Sequence, residues 1–334
     1  MQGVNTIAAL VAAVSRKHNM FLLGHARLGH ARLGRACLGH ARLGHTRLGR
    51  KAGLMLAAVA AGLALSLPAH ADNPNQGKKF KVAADVGLVP FFMRGTDGKM
   101  DGFSNDLTQE VAQRMGYDGV EVIDTPFSAI FAGLFSSRYD MVAAPTNTTR
   151  ERAEQMLFAE PYMAGGLSFL AKKGATVNAL EELKGKTIAV NNGSFSDRWL
   201  QENQEKYGYK IQRFNKNTDA VQAVAIGRAF ANMSETPLAR YIATKTPALA
   251  PVYDMTTEAN YAFAFRKDDT ALRNRVDEVL ECMKQDGSLS KLHVKWFGTE
   301  PNAGTAMTVV FPGYGAPDYP GYEPTEHTPD CSRP

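Results

Sequence analysis

Four short segments of this 334-residue chain carry side chains from which a grip on a small zwitterion can be built. They read Asp85-Val86-Gly87-Leu88-Val89-Pro90-Phe91, then Gly102-Phe103-Ser104-Asn105-Asp106-Leu107, then Thr149-Arg150-Glu151-Arg152-Ala153, then Phe158-Ala159-Glu160-Pro161-Tyr162. An amino acid presents a carboxylate and an ammonium close together, so its receptor needs a fork of donors for one and an anion for the other. Arg152 suits the first role, because a guanidinium makes two parallel hydrogen bonds to a carboxylate. It reads equally as a solvated arginine at a helix start, and Arg150 takes its place if the register slips. Asp85 lies at the end of the first strand, a cleft position, where an Asp is also a common turn residue.

Other chemistries find little support. There is no nucleophile elbow, no His/Cys cluster at metal-ligand spacing and no phosphate loop. Once the leader described below is set aside, only His293 and His327 remain, which argues against histidine-based hydrolysis or a zinc site. No cofactor and no metal are expected.

Short strand-like runs alternate with helical patterns, and these elements must position the polar residues. Residues 80–84 read as a strand. Leu107, Val111, Ala112 and Met115 recur at helical spacing, with Ser104 as N-cap and Gly116 as stop. Strands are expected at 120–123 and 140–144, separated by a helical stripe of Ile130, Phe131, Leu134 and Phe135. This βαβαβ rhythm implies an α/β lobe with a largely parallel sheet. A second unit starts near Leu167. It has a short helix at 180–183, strands at 187–190, 211–214 and 229–231, and helices after Gly193 and around 221–226. A late strand at 261–265 and a long helix marked by Leu272, Val276, Val279 and Leu280 follow. Beyond Gly298 the chain turns rich in Pro, Gly and Tyr, a composition that cannot build its own core and is expected to run over the surface.

Residues 1–71 read as a leader. Arg50 and Lys51 precede an apolar run from Leu54 to Leu67, and Ala69-His70-Ala71 offers small residues for signal peptidase. The run falls short of the about 20 residues that a permanent membrane helix needs. Cleavage is expected after Ala71, leaving 263 of the 334 residues, enough for two lobes. No Cys stands at the exit, so no lipid anchor is expected. The five-residue repeat that begins at Gly24-His25-Ala26-Arg27-Leu28 and runs in variants to Leu48 matches neither a helix face nor a known solenoid unit. It reads as a long n-region or as translated upstream sequence.

The leader holds nine of the 38 Lys and Arg residues and no acid. The remainder carries 29 cations against 33 acids, a net charge of −4. The basic balance of the whole chain therefore belongs to the leader and implies no nucleic-acid partner. Of three cysteines, Cys282 and Cys331 survive cleavage, and in an oxidising compartment they form a candidate disulfide tying the tail to the body; two free thiols are the alternative.

In order and spacing, behind an export signal, the four segments resemble the family 3 extracellular solute-binding proteins, two-lobed periplasmic receptors that carry polar amino acids to ABC importers. The resemblance implies a type II periplasmic-binding-protein fold, two α/β lobes joined by a two-strand hinge. Lobe 1 would take residues 72–165 with 260–298, lobe 2 residues 166–259, and the tail residues 299–334. Hinge crossings are expected near 163–169 and 258–263. A monomer is expected, with an amino acid as ligand and an ABC permease as partner.

The same resemblance assigns residues. Arg152 falls where the family's Thr-Pro-Glu-Arg motif places its carboxylate-binding arginine, with Arg150 in place of the proline. Asn147 and Ala144 follow from that register, the first offering an amide or a helix cap, the second only backbone. Phe127 matches an aromatic lining the cleft and is equally explained as core. Leu88 replaces an aromatic. Asp85 matches an acid that contacts a basic ligand side chain or the ammonium. Gly193 and Ser194 match a strand-to-helix turn, where Ser194 binds a carboxylate or simply caps. Gly227-Arg228-Ala229-Phe230-Ala231 lacks an acid usual there, and Glu235 stands where an Asp normally binds the ammonium. Glu235 can grip the ammonium, reshape the cleft or act as an acid. Ser104 replaces a usual acid. These departures leave open an enzyme on the same scaffold, a cyclohexadienyl (arogenate/prephenate) dehydratase with Glu235 as its acid.

Overall fold

The computed structural model describes residues 73–332; the leader, its repeat and the expected cleavage point lie outside the described residues. The chain first lays down β1 (Phe80–Ala84), a hairpin of β2 (Met93–Arg94) and β3 (Met100–Asp101), α1 (Phe103–Arg114), β4 (Val120–Asp124), α2 (Phe127–Phe135) and β5 (Met141–Asn147). Next come α3 (Arg150–Gln155), β6 (Leu157–Phe158) and β7 (Met163–Ala164). A second series follows: β8 (Leu167–Lys172), β9 (Thr187–Asn191), α4 (Phe195–Tyr207), β10 (Lys210–Phe214), α5 (Asn217–Ala225), β11 (Ala231–Glu235), α6 (Thr236–Lys245) and β12 (Leu249–Met255). The chain then returns through β13 (Asn260–Phe265) to α7 (Thr270–Gln285) and α8 (Ser288–Phe297).

Two sheets result. The first has the order β4-β1-β5-β13-β6, with β7 also on β13; the second has the order β10-β9-β11-β8-β12. Within each, the strands of the βαβ units run parallel, while the strands next to the crossings, β13 and β8, are antiparallel to their neighbours. The largely parallel sheets expected from the rhythm are therefore mixed. The backbone passes from the first sheet to the second between β7 and β8, and back between β12 and β13. Each sheet has its own buried core, and Leu238 of α6 reaches from the second lobe into the core of the first. All seven residues of β5 are buried, as expected of a central strand covered on both faces. The edge strand β4 is half-exposed along its length.

Local chemistry corrects two sequence expectations. Gly102, not Ser104, precedes α1, because the chain there adopts φ +128° and a Cβ would strike the Phe91 carbonyl. Ser104 lies inside the helix, fully buried. The strand expected at 229–231 begins only at Ala231, because the turn after α5 consumes residues 227–230, Arg228 and Ala229 both donating to the Ala223 carbonyl. This shift puts Glu235 at the strand's end.

The tail also departs from expectation. Among its described residues it forms no helix or regular strand, yet it buries Ala306, Met307 and Ala316 and packs over α7. Beneath it lie the side chains of Glu160, Arg273, Asp277 and Lys284, all buried. Lys284 pairs with Glu160 at 2.8 Å and donates to the Val309 carbonyl at 2.9 Å. Gly315 N–H donates to Asp277, Phe311 N–H to Glu160, and Arg273 pairs with Glu323 at 2.6 Å. Buried charges need partners, and a Pro/Gly-rich backbone with few helical bonds of its own supplies them. A disulfide joins Cys282 of α7 to Cys331, with Cα atoms 5.6 Å apart.

Candidate ligand-binding site

The C-terminal ends of parallel strands from both sheets face one another, which is where open α/β sheets carry ligands. The first lobe contributes Asp85 after β1, Asp124 at the end of β4 and Asn147 at the end of β5. The second contributes Asn191 at the end of β9, Lys216 after β10 and Glu235 at the end of β11.

Arg152 enters this cleft from α3. Thr149 caps that helix, accepting from Arg152 N–H at 3.3 Å. The guanidinium is buried, donates to the Asn147 carbonyl at 3.0 Å, and lies 5.6 and 5.2 Å from the ring centres of Phe127 and Phe131. Burial pulls its pKa down to about 10 and Glu235 holds it up, so the group stays charged at neutral pH. Arg150, two residues earlier, turns the other way and donates to the Asp318 carbonyl of the tail at 3.1 Å. The two arginines thus have separate partners.

Glu235 comes from the opposite lobe. Asn147 Nδ2 donates to its Oε1 at 3.5 Å. Burial raises the Glu235 pKa, opposed by its own backbone N–H and the charge of Arg152. Tyr261 of β13, paired with Asn147 in the sheet, is fully buried, and burial followed by the Glu235 charge raises its hydroxyl well above the usual range. The Tyr261 hydroxyl and Asn147 Oδ1 are buried with no partner among the described residues. Unpaired buried polar atoms are costly and mark places where a partner is due.

Asp85 is fully buried and already holds three partners. Its Oδ2 accepts from Phe127 N–H at 3.1 Å and from Asn191 Nδ2 at 3.0 Å. Its Oδ1 takes Lys216 Nζ at 2.8 Å, and the same ammonium pairs with Asp124 at 2.6 Å. Burial pushes the Lys216 pKa down, but the hydrogen bonds and charges of Asp124 and Asp85 leave it raised. Asp85 and Lys216 come from different lobes, as do Glu151 and Arg198, which pair at the half-exposed rim.

The remaining expected residues fall as follows. Phe127 opens α2, its N–H on Asp85 and its ring near Arg152, so it serves core and cleft together. Ala144 is a core residue of β5 whose carbonyl accepts from the Thr146 hydroxyl. Ser194 caps α4, accepting from Asp197 N–H at 3.0 Å, while Asp197 accepts from Gly193 N–H at 3.0 Å. Gly193 has φ +76°, and a Cβ there would sit 3.0 Å from Ser128 of the other lobe. Sequence reading missed Lys216, Asn191 and Tyr261. The usable signal for Lys216 and Asn191 was their position, since each is polar and stands at or just beyond the end of a strand; Tyr261, second in β13, carried no such signal. A cavity of about 830 Å³ lies elsewhere, lined by residues of β7, α6, α8 and the start of the tail.

The model of the bacterial extracellular solute-binding proteins, family 3, matches residues 80–299. The chain belongs to this family. The L-cystine-binding protein TcyJ of Escherichia coli K12 is 30% identical over 254 residues, covering 74% of this chain and 94% of TcyJ. The structure of an ancestral arginine-binding protein bound to arginine is 30% identical with a TM-score of 0.63, over 66% of this chain and 98% of that one. An ancestral amino acid-binding protein, AncCDT-1, described as a precursor of cyclohexadienyl dehydratase, is 33% identical with a TM-score of 0.61, over 66% and 95% of the two chains. The fold is thus the two-lobed one of these binding proteins.

Proposed function

We propose that this protein is an exported receptor that closes its two lobes on an amino acid and presents it to an ABC permease. One observation carries the reading. A buried cation from the first lobe, Arg152, and a carboxylate from the second, Glu235, interact across the cleft, with Asn147 between them. That is the charge pattern of an amino acid's α-carbon end in reverse. Arg152 takes the α-carboxylate, Glu235 the ammonium, and the unpaired Asn147 Oδ1 and Tyr261 hydroxyl complete the shell. Ligand contacts from both lobes stabilise the closed form, the form a permease can distinguish from the empty one. We place the protein in the periplasm, as a monomer, with lobe 1 at 72–165 and 260–298 and lobe 2 at 166–259. Native mass spectrometry of protein stripped by unfolding and refolding, then offered a mixture of the common amino acids, tests the reading. One amino-acid adduct per chain supports it; folded protein with no adduct overturns it.

A dehydratase on the same scaffold has one observation in its favour, the raised pKa of Glu235, which suits a proton donor. Phenylpyruvate from prephenate, or phenylalanine from arogenate, lost in Glu235→Gln, is the result that reading requires.

A further inference from the structure

Asp85 is the residue best placed to receive a cationic ligand side chain, and the structure shows that the protein fills that place itself. Lys216 reaches from the second lobe to within 2.8 Å of Asp85 and 2.6 Å of Asp124. Phe127 N–H and Asn191 Nδ2 occupy the other Asp85 oxygen. The charged groups gathered here are Asp85, Asp124 and Glu235 against Arg152 and Lys216; Asp85 and Arg152 are buried, Lys216 and Glu235 partly so, and Asp124 lies half-exposed at the rim. A zwitterion with an uncharged side chain leaves the pairs of Lys216 with Asp85 and Asp124 in place. A guanidinium or ammonium side chain adds a positive charge beside Lys216, and a side-chain carboxylate becomes a third acid on one ammonium.

A second observation points the same way. Asn191 is buried and its Oδ1 has no partner among the described residues. Its orientation is fixed, because flipping the amide would set its oxygen against the Asp85 carboxylate, which only accepts. The free atom is therefore an acceptor, next to Asp85, at the end of the strand beside the one that carries Glu235. It calls for a hydrogen-bond donor, and with Lys216 already on Asp85 a neutral one adds no second cation there. A continuous chain of contacts links it to the α-carbon end: Asn191 to Asp85, Asp85 to Phe127 N–H, and the Phe127 ring to Arg152.

We infer that Lys216 is a built-in counter-cation for Asp85, and that the ligand is an amino acid with a neutral, hydrogen-bond-donating side chain, an amide or a hydroxyl. This rests on the amino-acid-receptor reading above. Lys216 is then a specificity residue and an interlobe latch in one, closing on Asp85 only when no ligand cation stands between them.

Titration calorimetry of the stripped full chain with glutamine, asparagine, serine, threonine, arginine and lysine tests it. The expected result is at least tenfold tighter binding of one amide or hydroxyl amino acid than of arginine or lysine. Lys216→Met is expected to shrink that ratio by tenfold or more in favour of the cations, and Lys216→Arg to keep it. The wild-type ratio needs no variant to fold. Wild type that prefers arginine or lysine, or a ratio unchanged in folded Lys216→Met, overturns the Lys216 inference while the receptor reading stands. Wild type that binds none of the six but takes an amino acid without a side-chain amide or hydroxyl from the mass-spectrometric mixture overturns the Lys216 inference alone; no adduct from that mixture overturns both.

Discussion

Replacing Arg152 by alanine separates the binding role of this guanidinium from its structural one. Truncating one partner of a buried, hydrogen-bonded charge pair costs about 2–5 kcal/mol. At about 1.4 kcal/mol per decade, Kd should rise roughly 30- to 4,000-fold. Stability should move less. The variant loses one charged hydrogen bond, to the Asn147 carbonyl, and two aromatic contacts, to Phe127 and Phe131. Against that, it no longer holds a cation in a site where burial pulls its pKa down to about 10. Charged hydrogen bonds contribute about 1.5–3 kcal/mol, so a net loss of about 1–3 kcal/mol is expected, and the protein stays folded. Arg152→Lys keeps the charge without the fork and should fall between. The assay is calorimetry with the wild-type ligand, beside a urea melt of the same preparations. A folded Arg152→Ala protein whose Kd stays within about threefold of wild type would refute the assignment, since no carboxylate clamp can be removed at so little cost.

Three further outcomes follow from the geometry. Burial first, then the Glu160 charge, raises Glu281 to about 8 against the pull of Lys284, and it also faces His327 and Glu278. The folded state therefore binds this proton more tightly than the unfolded one, and the stability Glu281 contributes is present at low pH and lost as pH rises from the ordinary carboxyl range toward 8. Melting should rise on acidification from pH 8 to 5, and Glu281→Gln should reduce the slope by up to about 1.4 kcal/mol per pH unit; an unchanged slope contradicts this. Cys331→Ser opens a loop closed over a separation of 49 residues, and should cost about 2–4 kcal/mol while exposing the tail to limited proteolysis; a tail as protease-resistant as wild type argues that its polar contacts suffice alone. Gly165→Ala, whose Cβ would strike the Ala259 carbonyl at the hinge crossing, should cost about 1–3 kcal/mol by urea melt, and a neutral result would show that the crossing has room to shift.

Much of the fold was legible because local signals agreed with it. The periodicity of Leu107, Val111 and Ala112 marks the buried face of α1, and the β-rich runs 80–84 and 120–123 become neighbouring strands in parallel register. What sequence could not show was which strand ends meet. Lys216 lies 131 residues from Asp85, and nothing local in Asn215-Lys216-Asn217 says that its ammonium crosses to the other lobe. Asp85 was therefore expected to await a cation that the chain itself provides. Ser104 was misread as a cap because a good capping residue outranks glycine in a pattern, while the actual boundary is set by a backbone conformation and a close approach to Phe91. The tail was read from composition alone. Its backbone is ordered by charges on α7 and around Glu160, and their burial is a tertiary fact.

The central claim is that the cleft binds an amino acid through Arg152. A thermal-shift panel of the common amino acids on refolded, ligand-free protein tests it most directly, with simple sugars and dicarboxylates as controls. A ligand at 100 times its Kd adds about 2.7 kcal/mol, which for a chain of this size is roughly 5–10 °C. The account predicts a shift of that order from an amino acid, absent with the controls and lost in Arg152→Ala. A flat panel from folded protein, or a shift that survives in Arg152→Ala, would contradict it.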